Sequence, residues 1–256
     1  MARDQHFLTD ESVVRKIVDR AEVSASDIVL DIGAGVGALT VEAAKAAKLV
    51  YAVENDATLV PLLRNATAEL RNVRIIVADI LKTRLPPYTK IISNPPFSLL
   101  EPILMRHLRK PVPMSLLTPK KFAENIVTTK TAIGLKASLA YKPEVVEFFD
   151  GNICQPPYPG KLAHILLRPT EKTPLQEAMI DFLRQSTSKT RNALRNVLWT
   201  YGTKRTATKA VELSPLSDRL LETRVKRTSY EDLQAILLFL KQALSDKNLR
   251  IEQSSN

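Results

Sequence analysis

Residues 27–56 read DIVLDIGAGVGALTVEAAKAAKLVYAVEND, and this stretch decides the fold. Its opening, 27–33, is a short apolar run of the kind buried on both faces of a parallel sheet, and 48–54 (KLVYAVE) is another. Between them, 38–48 (ALTVEAAKAAK) has helical periodicity. Strand, glycine turn, helix and strand together make a βα unit with a right-handed crossover. The alternation continues outward. Strand-like runs recur at 72–79 (NVRIIVAD), 90–93 (KIIS) and 113–118 (PMSLLT), with helical patterns near 57–69, 98–109 and 120–127. Residues 9–21 add an N-terminal helix capped by Thr9 or Asp10. The fold class is α/β, a doubly wound Rossmann-like sheet whose ligand crevice lies at the carboxyl ends of its strands.

That rule gathers polar residues into a line. Asp31, Gly33, Glu54, Asp79 and Asn94 fall at or near the carboxyl ends of successive strands. Each alone has a plain reading as a cap, a turn or a surface residue, but in sequence order on one sheet edge they line a crevice. Gly33, Gly35 and Gly37 are spaced GxGxG, which differs from the GxGxxG of dinucleotide sites. These glycines let the backbone approach a ligand that carries no pyrophosphate. Glu54, about 20 residues further on, stands where an acid accepts hydrogen bonds from ribose hydroxyls. Asp79 ends the next strand, where a carboxylate can take the exocyclic amine of an adenine ring. A nucleoside with a small charged tail fits this arrangement, and S-adenosylmethionine is such a molecule.

The corner SNPPF (93–97) closes the line. Two prolines remove two backbone donors in a row and press Asn94 and Pro95 toward extended geometry, so the polar groups at this strand end are held stiffly with Phe97 just beyond.

Bulk properties agree with a globular chain. Of its 256 residues 45% are hydrophobic, enough for one large domain or a core domain plus a smaller one. A single cysteine, Cys154, excludes an intrachain disulfide, and His6, His107 and His164 have no metal-ligand spacing. No metal is expected, and a reducing, cytoplasmic compartment is. The N-terminal MARDQHFLTDES is polar, and no apolar run approaches the ~18 residues of a membrane helix, so a soluble, untargeted protein is expected.

The motifs together resemble the rRNA adenine N6-methyltransferases, the family of the small-subunit dimethyladenosine transferases and the macrolide-resistance enzymes. The resemblance begins with DQHFLTD (4–10), runs through DIGAGVG, VEND (53–56), VADIL (77–81) and SNPPF, and resumes in PPYPGKLAHILLRP (156–169). SKTRNALRNVL (188–198) and RVKRTSYEDLQAIL (224–237) look like the family's late motifs. It implies a class I methyltransferase domain that binds S-adenosylmethionine through His6, Leu8, Gly33, Gly35, Glu54, Asp79 and Asn94. The roles of His6 and Leu8 rest on the resemblance alone.

Adenine N6 is a poor nucleophile because its lone pair is delocalised into the ring. Acceptors that take its two hydrogens localise the pair, and the Asn94 side-chain oxygen and the Pro95 carbonyl would serve, with Phe97 stacking on the base. The base must be unpaired or flipped to reach such a corner. Pro96 stands where these rRNA enzymes usually carry an aliphatic residue, and an NPPF corner is equally at home in DNA adenine methylases. A DNA adenine N6-methyltransferase is therefore an alternative, and a non-catalytic ribosome-assembly factor of the same fold is another.

Charge is unevenly placed. The chain carries 37 Lys and Arg against 27 Asp and Glu, and residues 184–227 hold eleven of the former against only Glu212, Asp218 and Glu222. A one-signed segment of this length favours a polyanion. Residues 170–174 (TEKTP) read as a boundary between a catalytic domain, 1–170, and a basic helical domain, 171–256, with helices at 175–186, 190–201, near 217–227 and at 229–244. Arg191, Arg195, Lys204, Arg205, Arg224, Lys226 and Arg227 are its candidate RNA contacts, and a cleft between the two domains is where the RNA is expected to lie. The expected partner is rRNA or a pre-ribosomal subunit, met by a monomer. Residues 245–256 have the composition of a frayed tail.

Overall fold

A computed structural model describes residues 5–246. Contacts divide the chain into two units, one holding residues up to 128 together with 141–169, the other 129–140 and the residues from 170 onward.

The first unit is built on a seven-stranded sheet. After a short strand β1 (Phe7–Leu8) and helix α1 (Glu11–Arg20) come β2 (Ile28–Ile32), α2 (Ala38–Ala44), β3 (Leu49–Glu54), α3 (Val60–Ala66), β4 (Val73–Val77), β5 (Lys90–Ser93), α4 (Leu100–His107), β6 (Met114–Pro119) and α5 (Lys120–Ile126). The strands β7 (Tyr141–Asp150), β8 (Cys154–Gln155) and β9 (Lys161–Pro169) complete it. Sheet order is β4-β3-β2-β5-β6-β9-β7, with β2 to β6 parallel and β9 antiparallel to both β6 and β7. From β2 the chain steps outward through β3 and β4, then returns to lay β5 on the other side. The switch point where ligands bind in such sheets is therefore between β2 and β5. The expected five parallel strands are present. The antiparallel pair β7 and β9 extends the sheet beyond them.

Asp10, not Thr9, caps α1: its carboxylate accepts from the Ser12 and Val13 N–H groups at 2.9 and 3.2 Å. Val13, Val14, Ile17 and Val18 form the helix's apolar stripe and are buried. They share a core with Val29, Ala43, Val50 and Leu117. β1 pairs antiparallel with β8, Phe7 opposite Gln155 and Leu8 opposite Cys154, which ties the N-terminal segment to the sheet unit.

The second unit is helical: α6 (Ala132–Ser138), α7 (Pro174–Arg184), α8 (Thr190–Trp199), α9 (Lys204–Glu212), α10 (Asp218–Glu222) and α11 (Tyr230–Ser245). Its starts are strongly signalled. Thr173, Thr203 and Ser229 each form a capping box, and Pro174 occupies the first turn of α7. Among the described residues its extended pairing is limited to one isolated bridge, Lys189 with Arg224. The stretch read as helical near 217–227 is α10 followed by one 3₁₀ turn, Val225–Arg227. The expected frayed tail lies, from 247 onward, outside the described residues.

Candidate active site

A cavity opens at the carboxyl ends of β2, β3 and β5. It is lined by His6 to Leu8 from the N-terminal segment, Asp31 and the glycine loop, Glu54, and all of Asn94 to Phe97. Gly33 and Gly35 have φ of 71° and 58°, left-handed values that a side chain would strain. Space is short as well: a Cβ on Gly33 would sit 2.8 Å from Pro96 Cδ, closer than packing allows, and one on Gly35 would press on the Phe7 ring at 3.1 Å. The glycine loop thus packs directly on the double-proline corner and on Phe7. Ser93 Oγ ties the two central strands together at the same level, donating to the Ile32 carbonyl at 2.6 Å.

Each carboxylate here has a distinct environment. Glu54 is buried; its Oε2 accepts from Gly35 N–H at 2.8 Å and its Oε1 from Asp56 N–H at 2.7 Å. The acid that ends β3 therefore holds the glycine loop in shape and presents its remaining lone pairs to the cavity. Asp31 is 2% exposed and accepts from Thr40 Oγ1 at 2.6 Å. Burial pushes its carboxyl up to about 7, and the neighbouring Glu54 charge adds to the effect against the Thr40 hydrogen bond. Asp79 differs from both. Its Oδ1 accepts from Leu81 N–H at 2.9 Å, its Oδ2 lies 3.4 Å from Lys82 Nζ, and it is not among the cavity-lining residues. The backbone hydrogen bond to Leu81 is the main cause that holds its carboxyl below the usual range.

The corner itself is oriented. Asn94 Nδ2 donates to the His6 carbonyl at 2.8 Å, which leaves Oδ1 as the free acceptor of the amide. The Pro96 carbonyl accepts from Leu99 N–H at 2.8 Å, whereas that of Pro95 accepts no hydrogen bond among the described residues. Two acceptors are thus available side by side. Phe97 is only partly buried and belongs to an aromatic group: its ring stacks on His6 at 6.4 Å and meets Tyr158 edge-on at 5.3 Å. His6 Nδ1 is 2.9 Å from the Pro156 carbonyl and donates to it.

All of the expected crevice residues except Asp79 line one cavity, with Leu8 also buried in the core. Asp31 was placed in the crevice without a chemical role, and Tyr158 lay in the 156–169 motif without one. Asp31 was visible as a strand-end acid, but only burial sets it apart. The motif did not reveal Tyr158's place beside Phe97, which depends on the β1–β8 pairing across the whole unit.

In the helical unit the seven expected RNA contacts fall into two groups. Arg191 Nη2 is 3.1 Å from Glu222, and Arg195 Nη2 is 3.2 Å from Glu212. Lys204, Arg205, Arg224, Lys226 and Arg227 are exposed and have no carboxylate partner among the described residues. No helix of the described residues is long and apolar enough to cross a membrane.

The profile of the family described as ribosomal RNA adenine dimethylase matches residues 3–251. A probable ribosomal RNA small subunit methyltransferase A of Methanococcoides burtonii is 38% identical over 125 residues, 48% of this chain and 46% of that protein. A namesake from Methanococcus maripaludis is 38% identical over 159 residues, 60% of this chain and 58% of its own length. The matched segments therefore span about half the length of these relatives. A crystal structure of a dimethyladenosine transferase from Plasmodium falciparum superposes with a TM-score of 0.65 at 20% identity, covering 93% of this chain and 98% of that one, which shows a shared fold.

Proposed function

The chain belongs to the ribosomal RNA adenine dimethylase family, and on that premise we propose that it transfers methyl groups from S-adenosylmethionine to N6 of an unpaired or flipped adenine in rRNA. The observation that carries the reading is the packing of Gly33 on Pro96, which joins the glycine loop and the Asn94–Pro95 acceptors in one cavity. Family membership favours rRNA over duplex DNA, and the two available acceptors favour catalysis over a purely structural assembly role.

The cavity suits the cofactor on its own chemistry. Backbone at Gly33 and Gly35 allows close approach, Glu54 faces it with spare lone pairs for ribose hydroxyls, and buried Asp31 is an acid whose ionised form a cation would stabilise. His6 and Leu8 border the same space, and Asp79, which does not line it, is assigned the adenine amine in this reading. Bound there, S-adenosylmethionine supplies an electrophilic methyl group on a sulfonium centre.

The protein's part is positioning. Asn94 Oδ1 and the Pro95 carbonyl each accept one hydrogen of the target N6, drawing the lone pair out of conjugation and aiming it at the methyl carbon. The His6 carbonyl fixes the Asn94 amide beforehand, so little reorganisation accompanies the reaction. Phe97 supports the base by stacking, and the surplus proton on methylated N6 leaves to solvent. In this proposal residues 1–170 are the catalytic part and 171–256 the RNA-binding part, in a cytoplasmic monomer acting on rRNA or a pre-ribosomal subunit. Tritiated methyl transfer to small-subunit rRNA, tRNA and duplex DNA tests it. Label in an rRNA adenine supports the reading, and label confined to DNA, or none on any substrate, overturns it.

A further inference from the structure

We propose that the α8–α9 corner is a binding site for an unpaired RNA base, with Trp199 as its stacking platform and Lys204 and Arg205 gripping the adjoining phosphates. It rests on the RNA-methyltransferase reading for the identity of the polymer and adds to it a second contact point, on the helical unit.

Trp199 is the chain's one tryptophan and is 53% exposed. An indole this open has a face available for stacking. It ends a face of α8 on which Asn192, Arg195, Asn196 and Trp199 recur at helical spacing, opposite the buried stripe of Ala193, Leu194, Val197 and Leu198. That polar face is concave where α9 joins it: Asn192, Arg195, Asn196, Trp199, Lys204 and Thr208 line one depression. Lys204 Nζ stands 6.0 Å from the centre of the indole ring, so a cation already marks the edge of the platform.

The polar groups in the depression have capacity to spare. Asn196 Nδ2 donates to Gln185 at 2.8 Å, leaving its Oδ1 open, and Asn192 is exposed. Arg195 gives one nitrogen to Glu212, but its Nε–H is buried without a partner, the one such side-chain atom among the described residues. Lys204, Arg205 and Lys209 border an adjoining hollow, in which Glu212 is the lone acid. An indole face, amide edges and Lys204 in one depression, with Arg205 and Lys209 in the hollow that shares Lys204 and Thr208 with it, match a nucleotide: stacking for the base, hydrogen bonds for its edge and charge for the adjoining phosphates. A folded acidic protein would use the cations but has no use for an open indole flanked by amides.

Because Trp199 is the sole tryptophan, emission excited at the red edge of the indole band, where the six tyrosines do not absorb, reports on this corner alone. The probe is a short single-stranded RNA oligonucleotide, with inorganic polyphosphate as the control that has charge and no base. RNA should quench the emission and polyphosphate should not. Trp199→Ala should weaken RNA binding about tenfold to a hundredfold, while Trp199→Phe keeps most of it, and S-adenosylmethionine affinity should be unchanged in both. RNA binding that leaves the fluorescence untouched, or equal quenching by polyphosphate, overturns the site. The two readings fail separately: an enzyme active on rRNA with normal RNA affinity in Trp199→Ala refutes only this one, and quenching by RNA without methyl transfer to any substrate refutes only the activity.

Discussion

At the strand ends of the sheet unit, the polar groups are held on one side and open on the other. Glu54 takes two backbone N–H groups, and Asn94 gives its amide hydrogen to His6. On α8 and α9, Lys204, Arg205 and Lys209 are exposed, while Arg191 and Arg195 are half-buried and are the two cations there that pair with an acid among the described residues. The first arrangement is suited to placing atoms within a fraction of an ångström, as N6 activation demands. The second is suited to holding a flexible polyanion, where summed charge matters more than the position of any one nitrogen. Substitutions in the two regions should therefore differ in both size and kind.

The largest effect belongs to Asn94. Asn94→Ala deletes the proposed acceptor for N6, and loss of one preorganised hydrogen bond of this type costs about a hundredfold to a thousandfold in turnover. Its one side-chain bond among the described residues is that to His6, worth about 1 kcal/mol net, so the melting temperature should barely move. Single-turnover kinetics and calorimetry on the same variant check both. A variant with wild-type turnover would remove the corner from the mechanism.

Phe97 comes next. Phe97→Ala should slow transfer about tenfold to a hundredfold, and Phe97→Tyr should remain active. Since the ring is only partly buried, the stability loss should fall below the roughly 3–5 kcal/mol of a fully buried phenylalanine. A thermal melt showing the full core penalty, with normal turnover per folded molecule, would make Phe97 a packing residue.

Legibility divides along similar lines. The glycine loop, the strand-end acids and SNPPF were readable because each is a short contiguous pattern whose geometry is nearly local. β7 was not, and the reason is its place at the sheet's edge. Pro143 and the acids Glu144 and Glu147 argue against a strand, yet an edge strand tolerates proline and exposed charge. α9 escaped because its buried stripe is only Ala207 and Val211, too thin to register among Lys, Arg and Thr. Asp31 and Asp79 looked equivalent as strand-end acids. One is sealed in the cavity wall, and the other, 34% exposed, turns to its own loop. No one-dimensional pattern separates them.

Asp31 also supplies a pH test. Its folded-state value, about 7, lies above the ordinary 3.8 of an aspartate, so folding favours the protonated form. The ionised carboxylate costs stability in full above pH about 7, and the cost is relieved as pH falls through 7 toward 3.8. A cationic cofactor reverses the preference, and binding below that value must expel a proton. Affinity for S-adenosylmethionine should therefore rise with pH, by up to about tenfold per unit, and level off above about 7. Asp31→Asn should bind more weakly at pH 8 and show no such slope, as calorimetry at several pH values would reveal. An unchanged slope in the variant would place the proton elsewhere.

The smallest effects lie in the helical unit, and there the contrast between paired and unpaired cations can be measured directly. Arg205 has no carboxylate beside it among the described residues, whereas Arg191 already neutralises Glu222 at 3.1 Å. A phosphate contact by Arg205 releases a counterion, and each one contributes about −0.7 to the slope of log affinity against log salt on single-stranded RNA. Arg205→Gln should lower RNA affinity modestly and flatten the slope by about that amount. Arg191→Gln should change it less, because Glu222 already competes with phosphate for that guanidinium, and Lys189, 2.5 Å from Glu222, still pairs with the acid in the variant. Surface pairs of this sort are worth about 0–1 kcal/mol, so neither change should disturb folding. Salt titrations of the two variants against one oligonucleotide decide the matter. Equal slopes in both would mean that the pairing seen along α8 does not govern which cations meet the RNA, and that the whole basic face acts as an undifferentiated field.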